Sequence, residues 1–184
     1  LKKALLFARD LLIPVLKEGN TAVDATCGNG HDTLFLASRV GATGRVLAFD
    51  IQEQAIANTR ERLAQAKLLS RVTLVRADHS SLARYVDGPV HAVMFNLGYL
   101  PGGDHSLMTR PETTVAALEV SLSLLCSGGI VTVVVYSGHS GGKTEYTAVR
   151  EYLSLLPQRE FTVLEYRFIN QAGDPPLLLA VSRR

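Results

Sequence analysis

Cysteine is scarce in this 184-residue chain, which has only two. Cys27 and Cys126 make neither a disulfide framework nor a Cys-x-x-Cys metal clip. That usage suits a reducing compartment, and a cytoplasmic location is expected. Long apolar runs are also missing. No stretch approaches the ~20 residues a membrane-spanning helix needs, and Leu1-Lys-Lys-Ala-Leu-Leu-Phe7 is interrupted by Arg9 and Asp10 before it can serve as a signal core. Neither sign of charge dominates: a formal charge of +2 neither requires a nucleic-acid partner nor excludes a local basic patch. The five histidines include no pair at the helical spacing of a zinc site, so no metal is expected. Repeats, linkers and low-complexity tracts are absent. What remains is 47% hydrophobic content, on a length that fills one core well and is too short for two ordinary domains. Residues 1–184 therefore read as one domain, with residues 1–18 as a helix ahead of the sheet. Because the chain opens on Leu1, a native start further upstream is expected.

The stretch Val23-Asp-Ala-Thr-Cys-Gly-Asn-Gly-His-Asp-Thr33 reads as a strand end, a glycine turn and a helix start. Gly28 and Gly30 allow torsions closed to other residues and let a ligand approach the main chain, so the turn is either a nucleotide cradle or a tight turn. Asp50 favours the cradle, because it closes the run Arg45-Val-Leu-Ala-Phe-Asp50 at the register of a ribose-binding acid in a βαβ unit. A dinucleotide site would want a small residue where Thr33 stands and has no use for an acid upstream. Asp24, ahead of the turn, suits S-adenosylmethionine (SAM), which has a cationic amino group and no pyrophosphate.

The rest of the chain alternates. An amphipathic helix over 2–18, with Leu5, Ala8, Leu12, Val15 and Leu16 on one face, is kinked or divided at Pro14. Then come strand one, a strand over 45–50, a helix near 52–68, a strand over 72–77, a short helix near 80–86 and a strand over 90–96. A helix near 112–126, a strand over 129–137 and a helix near 144–156 follow. Such alternation implies a mostly parallel sheet with helices on both faces. The last two apolar runs, 161–169 and 176–182, have no helix between them and should pair as an antiparallel hairpin. The expected fold is α/β and Rossmann-like, a seven-stranded doubly wound sheet ending in that hairpin, which resembles the class I methyltransferase arrangement.

Ligands of such sheets sit beyond the carboxyl ends of the strands. The expected cofactor-binding set is therefore Asp24, Thr26, Cys27, Gly28, Asn29 and Gly30 around the turn, Asp50, Ile51 and Gln52 after strand two, Asp78 and His79 after strand three, and Asn96 closing strand four. The Gly28 to Gly30 amides and the Asn29 side chain would face the cofactor. Asp50 would accept the ribose hydroxyls or cap the helix that follows. Asp78 and His79 would hold the adenine edge, with helix capping the alternative for Asp78. His91, inside a strand, reads as structural. An asparagine closing strand four with Tyr99 three residues on resembles the Asn/Asp-Pro-Pro-Tyr motif of amino-group methyltransferases, although Leu97 and Gly98 replace both prolines.

Asp24-Ala-Thr-Cys-Gly-Asn-Gly-His-Asp-Thr33, Asn96-Leu-Gly-Tyr-Leu-Pro-Gly-Gly-Asp104, Arg110-Pro-Glu-Thr-Thr114, Tyr136-Ser-Gly-His-Ser-Gly-Gly142 and Pro175-Pro176 together resemble one bacterial and plant family, the YtqB-like "putative rRNA methylases". The likeness spans nearly the whole chain. Ser140 departs from it, standing where proline is expected, and Lys143-Thr-Glu145 has one acid where two are expected. The resemblance implies a SAM-dependent methyltransferase, releasing S-adenosylhomocysteine (SAH), that methylates the amine of 5-aminomethyl-2-thiouridine at the wobble position of tRNA. Another RNA or a small amine is the alternative substrate, and a SAM-binding module without catalysis or a dehydrogenase are the lesser readings. It also implies that Asn96 orients the amine and that Tyr99 stacks on the base. Asp104, His105 and His139 are then candidates to accept the amine's proton, and Tyr99, Pro101, Gly102, Arg110, His139 and Lys143 surround the acceptor pocket. The anticodon region of tRNA is the expected partner. A domain of this size covers little of a tRNA, so a homodimer is expected too.

Overall fold

The computed structural model describes residues 1–98, 108–138 and 141–184. In chain order these form α1 (Ala4–Leu12), β1 (Thr21–Asp24), α2 (His31–Arg39), β2 (Arg45–Asp50), α3 (Glu53–Gln65), β3 (Val72–Arg76), β4 (Val90–Asn96), α4 (Pro111–Leu124), β5 (Leu125–Val135), α5 (Gly142–Ser154), β6 (Phe161–Tyr166) and β7 (Leu177–Arg183), with 3₁₀ turns at Leu69–Arg71 and His79–Arg84. The strands make one seven-stranded sheet in the order β3-β2-β1-β4-β5-β7-β6. Pairing is parallel from β3 across to β5, then antiparallel between β5 and β7 and between β7 and β6. The doubly wound sheet with its closing hairpin is therefore present as the sequence implies.

The inner strands are buried on both faces, while the edge strands β3 and β6 are partly exposed; successive strand side chains point opposite ways and so enter different cores. Val93, Phe95, Val133 and Leu179 join a core with α4 and α5 residues such as Leu118 and Val149. Their neighbours Ala92, Met94, Val134 and Leu178 join a second core with Ala8 and Leu12 of α1, Leu36 of α2 and Leu63 of α3. Strands that face apolar layers on both sides need continuous rather than alternating hydrophobicity, which is why the sequence signal was legible.

Element ends moved where local chemistry intervened. The first helix stops at Leu12, and residues 13–15 form a turn in which Val15 and Leu16 donate back to the Leu12 carbonyl at 3.2 and 2.9 Å. Pro14 supplies no donor there, so the helix ends rather than kinks. The helix expected to reach residue 126 ends at Leu124 and passes straight into β5, whose first residue, Leu125, is extended. The final hairpin's first strand stops at Tyr166. No described helix is long and apolar enough to cross a membrane.

The order of strands reverses between β1 and β4, so their carboxyl ends diverge and leave a crevice. Asp24, Asp50 and Asn96 close β1, β2 and β4 around it. The glycine turn reaches that crevice braced from behind by α3. Gly30 adopts φ +78°, and a Cβ there would lie 2.9 Å from Thr59 Cα. The absent side chain thus serves helix packing as well as the turn. Gly30→Ala is expected to lose more than the ~1–2 kcal/mol of left-handed strain alone. Gly88→Ala, at φ +87° with nothing within 4 Å, isolates the strain, and urea unfolding of the two variants should show Gly30→Ala clearly the worse.

Candidate active site

A cavity of about 460 Å³ opens at the reversal point, walled by the ends of β1 to β4 and by Met108, Thr109, Tyr136, Gly138 and Asp174. Its size suits a nucleoside-bearing ligand.

Asp24 lies beneath this cavity. It is buried, accepts the Thr26 amide at 3.2 Å and the Thr33 hydroxyl at 2.6 Å, and does not line the cavity wall. Burial, together with the nearby Asp32 carboxylate, pushes its carboxyl up to about 7, against the pull of the Thr33 and Thr26 hydrogen bonds. Its role in the structure is to tie the end of β1 to the first turn of α2. The carboxylate that does line the cavity on this side is Asp32, which was quoted in the glycine motif without a role. Asp32 Oδ1 is gripped by Arg9 of α1, with Nε at 2.8 Å and Nη2 at 2.7 Å.

The turn itself is held from within. The Gly28 amide donates to Asp50 at 3.0 Å and the Gly30 amide to the Cys27 carbonyl at 2.7 Å. From α3, Asn58 donates to Asn29 Oδ1 at 2.8 Å, Thr59 to the Gly28 carbonyl at 3.0 Å and Arg62 to the Asn29 carbonyl at 2.6 Å. The two glycine amides and the Asn29 oxygen, expected to face a cofactor, are therefore engaged by the protein. Cys27 also lines the cavity, its thiol kept protonated by burial and by Asp24.

Asp50 accepts the Gln52 amide at 2.9 Å on one oxygen and the Gly28 amide on the other. A carboxylate oxygen can accept twice, so each keeps capacity for a hydroxyl from the cavity that Asp50, Ile51 and Gln52 line. Burial raises the Asp50 carboxyl, opposed by the Gln52, Gly28 and Ile51 amides and by His79. Asp78 caps the 3₁₀ turn after β3 by accepting the Ser80 amide at 2.8 Å. Burial lifts its carboxyl, but the Ser80 hydroxyl and amide, with His79 and Arg110, outweigh that and hold it below the usual range. His79 is buried, and that burial lowers its imidazole and favours the neutral ring despite Asp78, the Ala25 carbonyl and Asp50.

Asn96 completes the wall at the end of β4. Its amide donates to Thr26 Oγ1 at 2.7 Å, and its Nδ2 stands 3.5 Å from Asp32 Oδ2. Its Oδ1 is buried and has no hydrogen-bond partner among the described residues. An unmet acceptor of this kind costs about 1–3 kcal/mol. Burial raises the Tyr136 phenol beside it, with Asp32 adding and Asn96 opposing.

Other expected residues fall elsewhere. Lys143 pairs with Asp174 at 3.1 Å, both side chains being exposed, and of the two only Asp174 lines the cavity. Arg110 is exposed and does not line it. His91 Nδ1 accepts the Thr21 amide at 3.4 Å, a structural contact between strands. Tyr99, Pro101, Gly102, Asp104, His105 and His139 lie outside the described residues. Among the described residues no three His, Cys, Asp or Glu side chains gather as a metal site.

A parallel sheet closed by an antiparallel hairpin, with an acid-lined cavity at the reversal point, is the architecture of class I methyltransferases, which take their methyl group from SAM. Residues 46–182 match the family described as "Putative rRNA methylase", and the chain belongs to that family. A solved "putative rRNA-methylase" from Clostridium thermocellum is 51% identical with a TM-score of 0.98, covering 100% of this chain and 99% of that one. A "putative methyltransferase" from Streptococcus mutans in complex with SAH is 38% identical with a TM-score of 0.93, covering 100% and 99%. The chloroplastic tRNA (mnm(5)s(2)U34)-methyltransferase of Arabidopsis thaliana is 38% identical over 99% of this chain and 70% of its own length.

The Asp24 carboxyl makes stability depend on pH. A free carboxyl ionises near 3.8 and this one near 7, so the folded protein holds an extra proton between those values. Its stabilising contribution is full below pH 3.8 and is lost as pH rises through 7. Asp24→Asn cannot ionise. The unfolding free energy of the variant minus that of the native protein should therefore grow between pH 5 and pH 8, by on the order of 2 kcal/mol. A flat difference in denaturant titrations at the two pH values would contradict this origin.

Proposed function

We propose that the protein is a SAM-dependent N-methyltransferase that methylates the exocyclic amine of 5-aminomethyl-2-thiouridine at the tRNA wobble position, giving the 5-methylaminomethyl nucleoside. The observation that carries the reading is Oδ1 of Asn96 at the end of β4, buried and without a partner among the described residues, an acceptor suited to an amine N–H. The likeness to the Arabidopsis enzyme over 99% of the chain supports the choice of substrate.

When bound, SAM supplies an electrophilic methyl on a sulfonium. Asp50 would hold its ribose diol, each hydrogen bond to the carboxylate contributing about 1.5–3 kcal/mol. Asp78 and His79, which line the cavity, would hold the adenine edge, with Asp78 also serving as the cap. The acceptor amine is mostly protonated at neutral pH, as a lysine amine is, so it must lose a proton before attack. Asp104, His105 and His139 remain the candidates to take it. Asn96 would then fix the lone pair in line with the methyl, and orientation of that kind supplies ~7–11 kcal/mol in favourable cases. Tyr99 would stack on the base, while Arg110 and Lys143, both exposed, suit phosphates. A second copy of the chain would extend the surface available to a tRNA.

The family's own description favours a second reading, an rRNA nucleotide as acceptor. Incubation with under-modified tRNA and with ribosomal RNA, using methyl-labelled SAM, separates the two. The label is expected in 5-methylaminomethyl-2-thiouridine after digestion, and label found only in rRNA would overturn the tRNA reading. With the tRNA substrate, Asn96→Ala should reduce kcat by about 10²-fold at saturating SAM, and an unchanged rate would remove Asn96 from its role.

A further inference from the structure

Glu145 is almost fully buried, at 2% exposure, in the first turn of α5. It arrives there because α5 begins hard against the end of β5, where a Cβ on Gly142 would sit 2.2 Å from the Tyr136 carbonyl oxygen. Its two oxygens accept from two hydroxyls, Thr114 at 2.7 Å and Thr109 at 2.8 Å. Thr109 Oγ1 in turn accepts the Gly98 amide at 3.0 Å, and the Thr109 amide donates to the Gly98 carbonyl at 3.1 Å. A hydroxyl has one proton to give. With that proton directed at Glu145, the Thr109 oxygen faces Gly98 as an acceptor, so the carboxylate sets the polarity of the chain of bonds.

Gly98 follows β4 and Thr109 precedes α4, so these bonds tie the end of β4 to the approach to α4. Gly98, Met108 and Thr109 line the cavity beside Asn96. Thr114 Oγ1 also lies 3.4 Å from His79 Nε2, which carries the network to the other side of the same cavity.

We propose that Glu145 is a positioning residue for the methyl acceptor. It holds Thr109, and through it Gly98, so that the junction beyond β4 keeps a fixed place beside Asn96. The proposal rests on the reading of the chain as a tRNA methyltransferase. It assigns Glu145 to the acceptor side of the cavity, away from the ribose site at Asp50.

Four variants test it: Glu145→Ala, Glu145→Gln, Thr109→Val and Thr109→Ser. The readouts are kcat and KM on under-modified tRNA, KM for SAM, SAH affinity by calorimetry and the thermal midpoint. Glu145→Ala and Thr109→Val should each lower kcat at least ~10-fold, and in Thr109→Val, which leaves the Thr114–His79 contact in place, SAH affinity and KM for SAM should hold. Glu145→Gln keeps one good acceptor and should fall between. Thr109→Ser keeps the hydroxyl and should recover turnover. If Glu145→Ala does not fold, Thr109→Val against Thr109→Ser decides alone. Unchanged kcat in the Ala and Val variants, or a loss of SAH affinity in Thr109→Val as large as its loss of kcat, overturns the positioning role. A native protein that binds SAH but methylates no tRNA overturns the substrate reading and this proposal with it, a result distinct from native turnover that Glu145→Ala leaves intact.

Discussion

The hydrogen bond from the Thr33 hydroxyl to the buried Asp24 carboxylate, at 2.6 Å, is the constraint on which the site depends. It joins the last residue of β1 to the first turn of α2 across the glycine turn. With that distance set, the turn must double back tightly and α3 can brace it through Asn58, Thr59 and Arg62. The price is a carboxyl group in a place where ionisation is unfavourable, with the Asp32 charge close by. Arg9 lightens that burden by pairing with Asp32.

Two carboxylates that look alike in sequence therefore do different work. Asp24 is sealed beneath the turn and structural, while Asp50 keeps its second lone pairs toward the cavity although both oxygens already accept backbone amides. Asp50 turns the chain through the Gln52 amide but does not cap α3, whose N-cap is Gln52 itself, and a second acceptor site on each oxygen leaves capacity for the hydroxyls proposed for it. Asp78, by contrast, does cap the 3₁₀ turn that follows it, also from the cavity wall.

The sheet was legible because strands buried on both faces must be apolar nearly throughout, as Val133 to Val135 and Leu177 to Val181 are. The places of Asp50, Asp78 and Asn96 followed from the rule that ligands sit beyond the carboxyl ends of the strands, whereas the reversal point came only with the strand order. What the sequence concealed are contacts between distant parts of the chain. Arg9 reads as one polar residue on an amphipathic helix, yet it meets Asp32, 23 positions on. Glu145 shares a carboxylate with Thr109 and Thr114 of the segment before and within α4. No periodicity announces such pairs. The role of the glycine turn was half legible: its torsions were, but the collision a Gly30 side chain would have with α3 depends on a helix whose placement only the fold provides.

The N-terminal helix has a consequence for how the molecule is made. The Lys2 carbonyl accepts the Tyr166 hydroxyl at 2.8 Å, and Phe7 packs on the same ring at 4.6 Å. Those partners are 164 positions apart in the chain. On the ribosome, where synthesis runs from the N-terminus, α1 emerges first and must wait for β6 before it can be seated against that ring. Contacts of such separation form slowly. Arg9 is carried on the same helix, so its grip on Asp32 at the cavity wall is joined to the packing of α1 on Tyr166.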